Sequence, residues 1–533
     1  MLVNVRFNHV HMAALLAVLS VVLLTATAPD MGLTWDEPTY IVAAERYMAW
    51  FGELFTNPAY ALSPQCVTMY WTFNNEHPPM DKVWSGLVWL GTRHLFDDLT
   101  AHRLGNILLV GLLVALLYGM VAGQYGFTAG VGAVAALLTM PRFFFHAHLA
   151  ALDVPVAVMI FVVICVFWLS HDQPGFGWTL VLGLGWGLAL ATKINALFVP
   201  PVVLLLWTVL FQPRGYLFLR LILMGLMGVM LLRLSWPWLY YDSAKRLMAY
   251  LNFMTIRHTE VEQYYFGHLY VPPPWHFPFV MTLVVVPFSV TALWLMGAWR
   301  VAMHKPNQTL GPLFVLGALV SIGILATGRS QVFDNERLVM PAFPFLAALA
   351  GIGFAWIALR LREWAGRRGR LAWARPGLLA LGTVAFLPQM LVALGLYPHL
   401  LSYYSEAIGG LRGAQLLRLE TTYWCETYAQ ALPYLNAHVP ASGVIWAECH
   451  DVLAYYQLHG KLRSDLQIAE GPTAITVFSS VTLNKATMEQ ADYVLIQYRQ
   501  SGFYRAVRSW INAREPEYQN TYRGIPLVAV YRR

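Results

Sequence analysis

Eleven apolar runs, most near the ~20 residues a helix needs to cross a bilayer, constrain this chain more than any other feature. They fall near 11–29, 104–122, 128–147, 154–170, 177–193, 195–211, 218–236, 277–299, 310–328, 338–360 and 376–397. Such runs can be buried only against one another and lipid, where a helix is the single-segment structure that satisfies its own backbone. Composition agrees: the 533 residues are 58% hydrophobic and 12% charged, where soluble proteins carry roughly 25% charged residues, and mean hydropathy is +0.52. The net charge of +7 is no nucleic-acid footprint, because the basic residues flank apolar runs instead of forming a polar face. Four cysteines without a CxxC spacing exclude a disulfide scaffold and a thiolate metal site.

The first run ends in Ala26-Thr27-Ala28, which fits a cleavage site. A retained helix is expected instead, since many spans follow it. Residues 82–96 are too short to span and suit an interfacial helix. With the N-terminus inside, eleven spans put the basic cluster Arg360, Arg362, Arg367, Arg368, Arg370 and Arg375 in a cytoplasmic loop, as the positive-inside rule requires. Two long outer loops result, 30–103 and 237–276, and the outer face receives Asp36, Glu37, Glu76, Asp153, Lys193, His268 and Arg337. The expected organisation is a membrane domain over 1–397 and a C-terminal soluble α/β domain over 398–533, facing the periplasm or exterior of a plasma membrane. Strand-like runs at Val444–Trp446, Ile475–Phe478, Tyr493–Ile496 and Leu527–Val530 alternate there with helix-like stretches at 452–458 and 504–511. Cys425 and Cys449 lie in this domain, where a disulfide can form.

Charged residues at membrane boundaries are expensive and point to function. Asp36-Glu37 precedes Pro38, so Asp36 reads as a helix N-cap; it also reads as a base able to take a proton from a hydroxyl. Glu76-His77-Pro78-Pro79 is a stiff turn that also offers oxygen and nitrogen ligands. Asp153, two residues before Pro155, reads as a cap with His146 and His148 as neighbours. Lys193 and Arg337 read as snorkelling anchors or as cations for a phosphate. Glu336 is an alternative partner for Arg337. Arg257, His258 and His268 are further candidates in the second outer loop.

In order, these motifs resemble the protein O-mannosyltransferase and aminoarabinose-transferase family of membrane glycosyltransferases with the GT-C fold. The likeness covers roughly residues 10–360: Trp35-Asp36-Glu37-Pro38, Glu76-His77-Pro78-Pro79, Asp153-Val154-Pro155, Lys193, and Arg337 to Pro341. It implies a polytopic α-helical protein with interfacial helices in the first outer loop. It implies an inverting transfer of a hexose or pentose from a polyprenyl-phosphate donor to a protein, lipid or glycan hydroxyl. The resemblance implies that Asp36 acts as base or acceptor ligand, Glu76 helps to bind a metal or substrate, Asp153 supports the site, and Lys193 and Arg337 hold the donor phosphate. With the residues' own chemistry added, the catalytic candidates are Asp36, Glu37 and Asp153, and the substrate-binding candidates are Lys193, Arg337, His77 and Arg257. Glu76 and His268 are the candidate ligands for a divalent metal ion. His77 stands where aminoarabinose transferases tend to have Lys, which bears on the donor sugar. A transporter or flippase is the alternative, and a docking protein with merely structural acids a further one.

Overall fold

The computed structural model describes residues 9–254, 261–303, 310–328, 332–471 and 476–533. Seven of its helices are long and apolar enough to cross a membrane: His9–Asp30, Asp98–Tyr125, Asp153–Ser170, Gly215–Ser235, Leu310–Thr327, Arg337–Arg367 and Ala374–Leu396. Their outer faces carry the signature of a lipid contact. Leu379, Val384 and Leu394 on the Ala374–Leu396 helix are 74%, 69% and 70% exposed, which water would penalise and lipid does not. The chain is an integral membrane protein.

Prolines account for the places where an expected span is interrupted. The 277–299 run divides into Phe277–Val285 and Phe288–Ala302, bent by 118°. Pro287 has no N–H to donate and holds Val286 extended. The 128–147 run gives a helix over Phe127–Leu138 and a second short one that starts at Pro141. Two further apolar helices, Phe176–Leu190 and Asn195–Phe211, are separated by a four-residue break that holds Lys193. Residues 80–92 form the expected interfacial helix.

Where helices meet, small residues allow close approach, as association within lipid demands. A Cβ on Gly297 would lie 1.9 Å from the Leu349 carbonyl oxygen, and one on Gly353 2.1 Å from that of Leu293. Both belong to the contact between the Phe288–Ala302 and Phe343–Arg367 helices.

Beyond the last long helix the chain does not separate at once. Leu400, Tyr403, Tyr404, Tyr423 and Trp424 belong to the same apolar cluster as the membrane helices. The hairpin β1 (Gln263–Tyr265) and β2 (His268–Tyr270) lies in the loop over 237–276. A five-stranded sheet follows, from β3 (Val444–Ala447), β4 (Gln467–Ile468), β5 (Tyr493–Gln497), β6 (Tyr518–Tyr522) and β7 (Ile525–Arg532), in the order β4-β3-β5-β7-β6. Its β4-β3-β5 part is parallel and its β5-β7-β6 part antiparallel. Three of the four expected strands are present. Residues 476–478 of the other are irregular, and Thr476 and Val477 bond to the Asp451 carboxylate instead of a sheet. Polar β6 (Tyr518–Tyr522) carried no apolar run to announce it. A Cys425–Cys449 disulfide links the Trp424 segment to the His450–Leu458 helix.

Candidate active site

Asp36 and Glu37 are neighbours that face different surroundings. The helix begins at Glu37 with Pro38 in its first turn, and successive helical residues point about 100° apart. Glu37 turns inward and is sealed. Arg103 holds its carboxylate with two bonds of 2.7 Å, Nε to Oε1 and Nη2 to Oε2. The backbone N–H groups of Thr34 and Ala150 donate to it at 3.0 Å. The other guanidinium hydrogens of Arg103 bond to the carbonyls of Ala28, Met31 and Gly32. Glu37 therefore shapes the loop before the helix, and the expected catalytic partnership with Asp36 is not what the geometry forms.

Asp36 faces a cavity of about 950 Å³. Its side chain does not cap the helix. Instead its Oδ2 accepts from Arg337 and, at 3.4 Å, from the Tyr40 hydroxyl. Arg337 Nε donates to Asp153 Oδ2 at 2.8 Å and its Nη1 to Asp334 Oδ2 at 3.1 Å. The far oxygen of Asp153 is bonded by Lys193 Nζ at 2.5 Å. The far oxygen of Asp334 is bonded by Arg499 Nη2 at 3.0 Å. Residues from five distant stretches thus form one alternating chain of charge, Lys193–Asp153–Arg337–Asp334–Arg499, with Asp36 branching from Arg337. Trp424 lies under the Arg337 guanidinium, 4.1 Å from ring centroid to Cζ.

Accessibility separates these acids. Asp36 keeps 24% of its side chain exposed, and Asp153 only 3%. Asp36 is the acid a substrate can reach. Arg337, expected as a phosphate contact, has all three guanidinium nitrogens on carboxylates. Lys193 has three ammonium hydrogens, and Asp153 takes one.

Glu76 and His77 line the same cavity, on a turn pinned from behind. Lys82 Nζ donates to the Asn74 carbonyl at 3.1 Å, its side-chain oxygen at 2.7 Å and the His77 carbonyl at 2.9 Å. Burial lowers the Lys82 ammonium to about 7, against the pull of Glu76 and Asp81. At the other end of the charge chain, burial pushes Glu420 up to about 7, although Arg499 and Ser501 favour its ionised form.

Several expected pairings are replaced by others. His268 lines a separate depression with Tyr264, Gln500 and Arg508, so Glu76 and His268 do not assemble as a metal pair. Arg257 and His258 lie outside the described residues. His146 bonds the Tyr423 hydroxyl at 3.0 Å and His148 the Thr27 hydroxyl at 2.8 Å, because Asp153 is already held by Lys193 and Arg337. Glu336 pairs with Arg142, and with the Tyr423 hydroxyl at 2.9 Å, not with Arg337. Sequence reasoning passed over Asp334, Trp424 and Arg499. Asp334 could have been found from its i,i+3 spacing to Arg337; Arg499 carried no local signal.

Ile194, Phe198, Met254, Leu325 and Leu338 add apolar walls to the cavity. Its lining thus combines charge with surface suited to hydrocarbon.

Comparisons with known proteins agree with this architecture. A family model described as dolichyl-phosphate-mannose-protein mannosyltransferase matches residues 76–241. The fold is similar to the crystal structure of ArnT from Cupriavidus metallidurans in the apo state, with a TM-score of 0.56 at 14% identity over 97% of both chains. The same protein bound to undecaprenyl phosphate gives a TM-score of 0.54 at 16% identity, again over 97% of both. The apo oligosaccharyltransferase of Archaeoglobus fulgidus gives 0.50 at 12% identity, over 92% of this chain and 69% of that one. A search of curated proteins finds no match. The chain has the GT-C fold of membrane glycosyltransferases, with a small sheet domain at its C-terminus.

Proposed function

We propose that this protein is a glycosyltransferase that moves a sugar from a polyprenyl-phosphate donor to a hydroxyl of a protein, lipid or glycan on the outer face of the membrane. The observation that carries the proposal is the shared cavity: the partly exposed Asp36 and the buried Lys193 both line one space with apolar walls. The family match at residues 76–241, and the undecaprenyl phosphate bound by the structurally similar ArnT, support a lipid-phosphate donor.

The chemistry follows from where charge develops. The acceptor oxygen forms a bond to the anomeric carbon while the bond from that carbon to the phosphate oxygen breaks. The acceptor proton passes to Asp36, whose hydrogen bonds to Arg337 and Tyr40 both fall on Oδ2; Oδ1 is the oxygen we assign as base. The departing phosphate gains negative charge, which Lys193 stabilises. Arg337 is a positioning residue that fixes Asp36 and Asp153 together. A single displacement inverts the anomeric carbon, so a β-linked donor gives an α product. No step is assigned to a metal, because Glu76 and His268 line different pockets.

The test is transfer of radiolabelled sugar from lipid-linked donors by membranes containing wild type or Asp36→Asn, with detergent-stable yield as the folding control. Lost transfer with retained yield is expected. Undiminished transfer by Asp36→Asn overturns the assignment. Movement of the labelled lipid across vesicles without sugar transfer would favour a transporter.

A further inference from the structure

Away from the charged cavity, Glu45, Asp98 and His102 bring one ligand atom each to within 4.8 Å of one another. Glu45 lies on the Glu37–Thr56 helix, Asp98 and His102 on the Asp98–Tyr125 helix. His102 is fully buried, and among the described residues its Nε2 has no hydrogen-bond partner. That nitrogen points toward the Glu45 carboxylate, 3.9 Å away.

The surroundings indicate which tautomer sits there. Ser85 donates its single hydroxyl hydrogen to the His102 carbonyl at 2.9 Å. Its oxygen is also 3.3 Å from His102 Nδ1, a contact satisfied when Nδ1–H is the donor. Nε2 is then a bare lone pair turned toward two carboxylates. A ring N–H held by an outer partner, with the opposite nitrogen directed at anionic oxygens, is the arrangement of a metal-ligating histidine. Trp89 stacks on the ring at 5.0 Å and fixes its plane. Asp98 is oriented equally firmly: Trp89 Nε1 donates to one oxygen at 2.8 Å and the Tyr455 hydroxyl to the other at 2.7 Å.

We propose that Glu45, Asp98 and His102 form a site for a borderline divalent cation of the zinc class. One nitrogen and two carboxylate oxygens suit Zn²⁺; Mg²⁺ and Ca²⁺ prefer all-oxygen shells. Zinc bonds of about 2.0–2.1 Å require the ligands to draw together, and exposed Glu45 is the one free to swing inward. His459 Nε2, 3.6 Å from Asp98 Oδ2, is placed to approach as a fourth ligand. The ion would join the helix that begins beside Asp36 to the Asp98–Tyr125 helix. Through Tyr455 and His459 it would also join that pair to the C-terminal domain.

The experiment uses the full chain in detergent, stripped with EDTA and titrated with ZnCl₂. Melting temperature and bound zinc after desalting are the readouts, with MgCl₂ as control. Wild type is expected to retain one equivalent at this site and to melt higher with zinc but not magnesium. Glu45→Gln, an exposed change, should lose that equivalent and the zinc-induced shift while melting like stripped wild type. Ser85→Ala should weaken zinc by about tenfold or more, as loss of an outer-shell partner does. Glu76→Gln should keep the equivalent. Equal zinc content in wild type and Glu45→Gln, loss of the equivalent in Glu76→Gln, or a melting temperature indifferent to zinc would each overturn the proposal.

Discussion

Two adjacent pairs, Asp36-Glu37 and Glu336-Arg337, each divide between two environments. Asp36 and Arg337 meet at the cavity. Glu37 and Glu336 are sealed against Arg103 and Arg142, with every one of those four side chains at 0% exposure. In the sealed pairs Arg103 collects the carbonyls of Ala28, Met31 and Gly32, and Arg142 Nε takes the Tyr403 carbonyl at 2.8 Å. At the cavity the same residue types form a chain that ends in Lys193 and Arg499, with the more exposed Asp36 branching from Arg337. Salt bridges of one chemistry thus form a sealed scaffold in one place and, in the proposed reaction, hold the reacting groups in the other. Solvent access makes the difference: the four sealed side chains are fully buried, and Asp36 is not.

The comparison can be broken most forcefully at its sealed side. Arg103→Ala strands the Glu37 carboxylate in the core and should cost about 3–5 kcal/mol, read as loss of a monodisperse species in detergent or a collapsed melting temperature. A near-normal melt would show that the sealed pairs are dispensable. Asp36→Asn should do the reverse, lowering transfer by about 10²–10⁴-fold with little change in melting, since Asn can still accept from Arg337. Glu37→Gln should resemble the Arg103 change and not the Asp36 one. Lys193→Met leaves Asp153 paired with Arg337 and should lower kcat by about 10²–10³-fold; a rise in KM alone would limit the lysine to donor binding.

The smallest effect sharpens the boundary between the two regions. Glu420 has its folded-state value raised from 4.5 to about 7, so the folded protein holds this proton more tightly than the unfolded chain. Stability must then fall as pH rises from about 4.5 to 7, by up to about 3 kcal/mol. Glu420→Gln should melt higher than wild type above about pH 7, with the gap closing towards about pH 4.5. A pH-independent gap would show that Glu420 is ionised throughout.

Which residues matter was legible where lipid made charge costly. Asp36, Glu76, His77, Asp153, Lys193 and Arg337 were singled out because each interrupts or borders an apolar run, and the structure brings Asp36, Asp153, Lys193 and Arg337 into one bonded network, with Glu76 and His77 on its wall. His268 shared the same loop logic but sits elsewhere, since a hairpin points its residues according to strand register. Arg499 was invisible because it follows β5 in the C-terminal domain, and it reaches Asp334 only through the docking of that domain.

The sequence by itself determined the helical membrane architecture, the position of its boundary charges and three strands of the terminal sheet. Local chemistry suffices for those: apolar length demands lipid, proline interrupts helices, and alternation marks strands. Only the tertiary structure decided which acid faces the cavity and which is sealed, and that Arg337 bonds three carboxylates while Lys193 bonds Asp153. Partners hundreds of residues apart settle such questions, and neither spacing nor composition records which of them will meet.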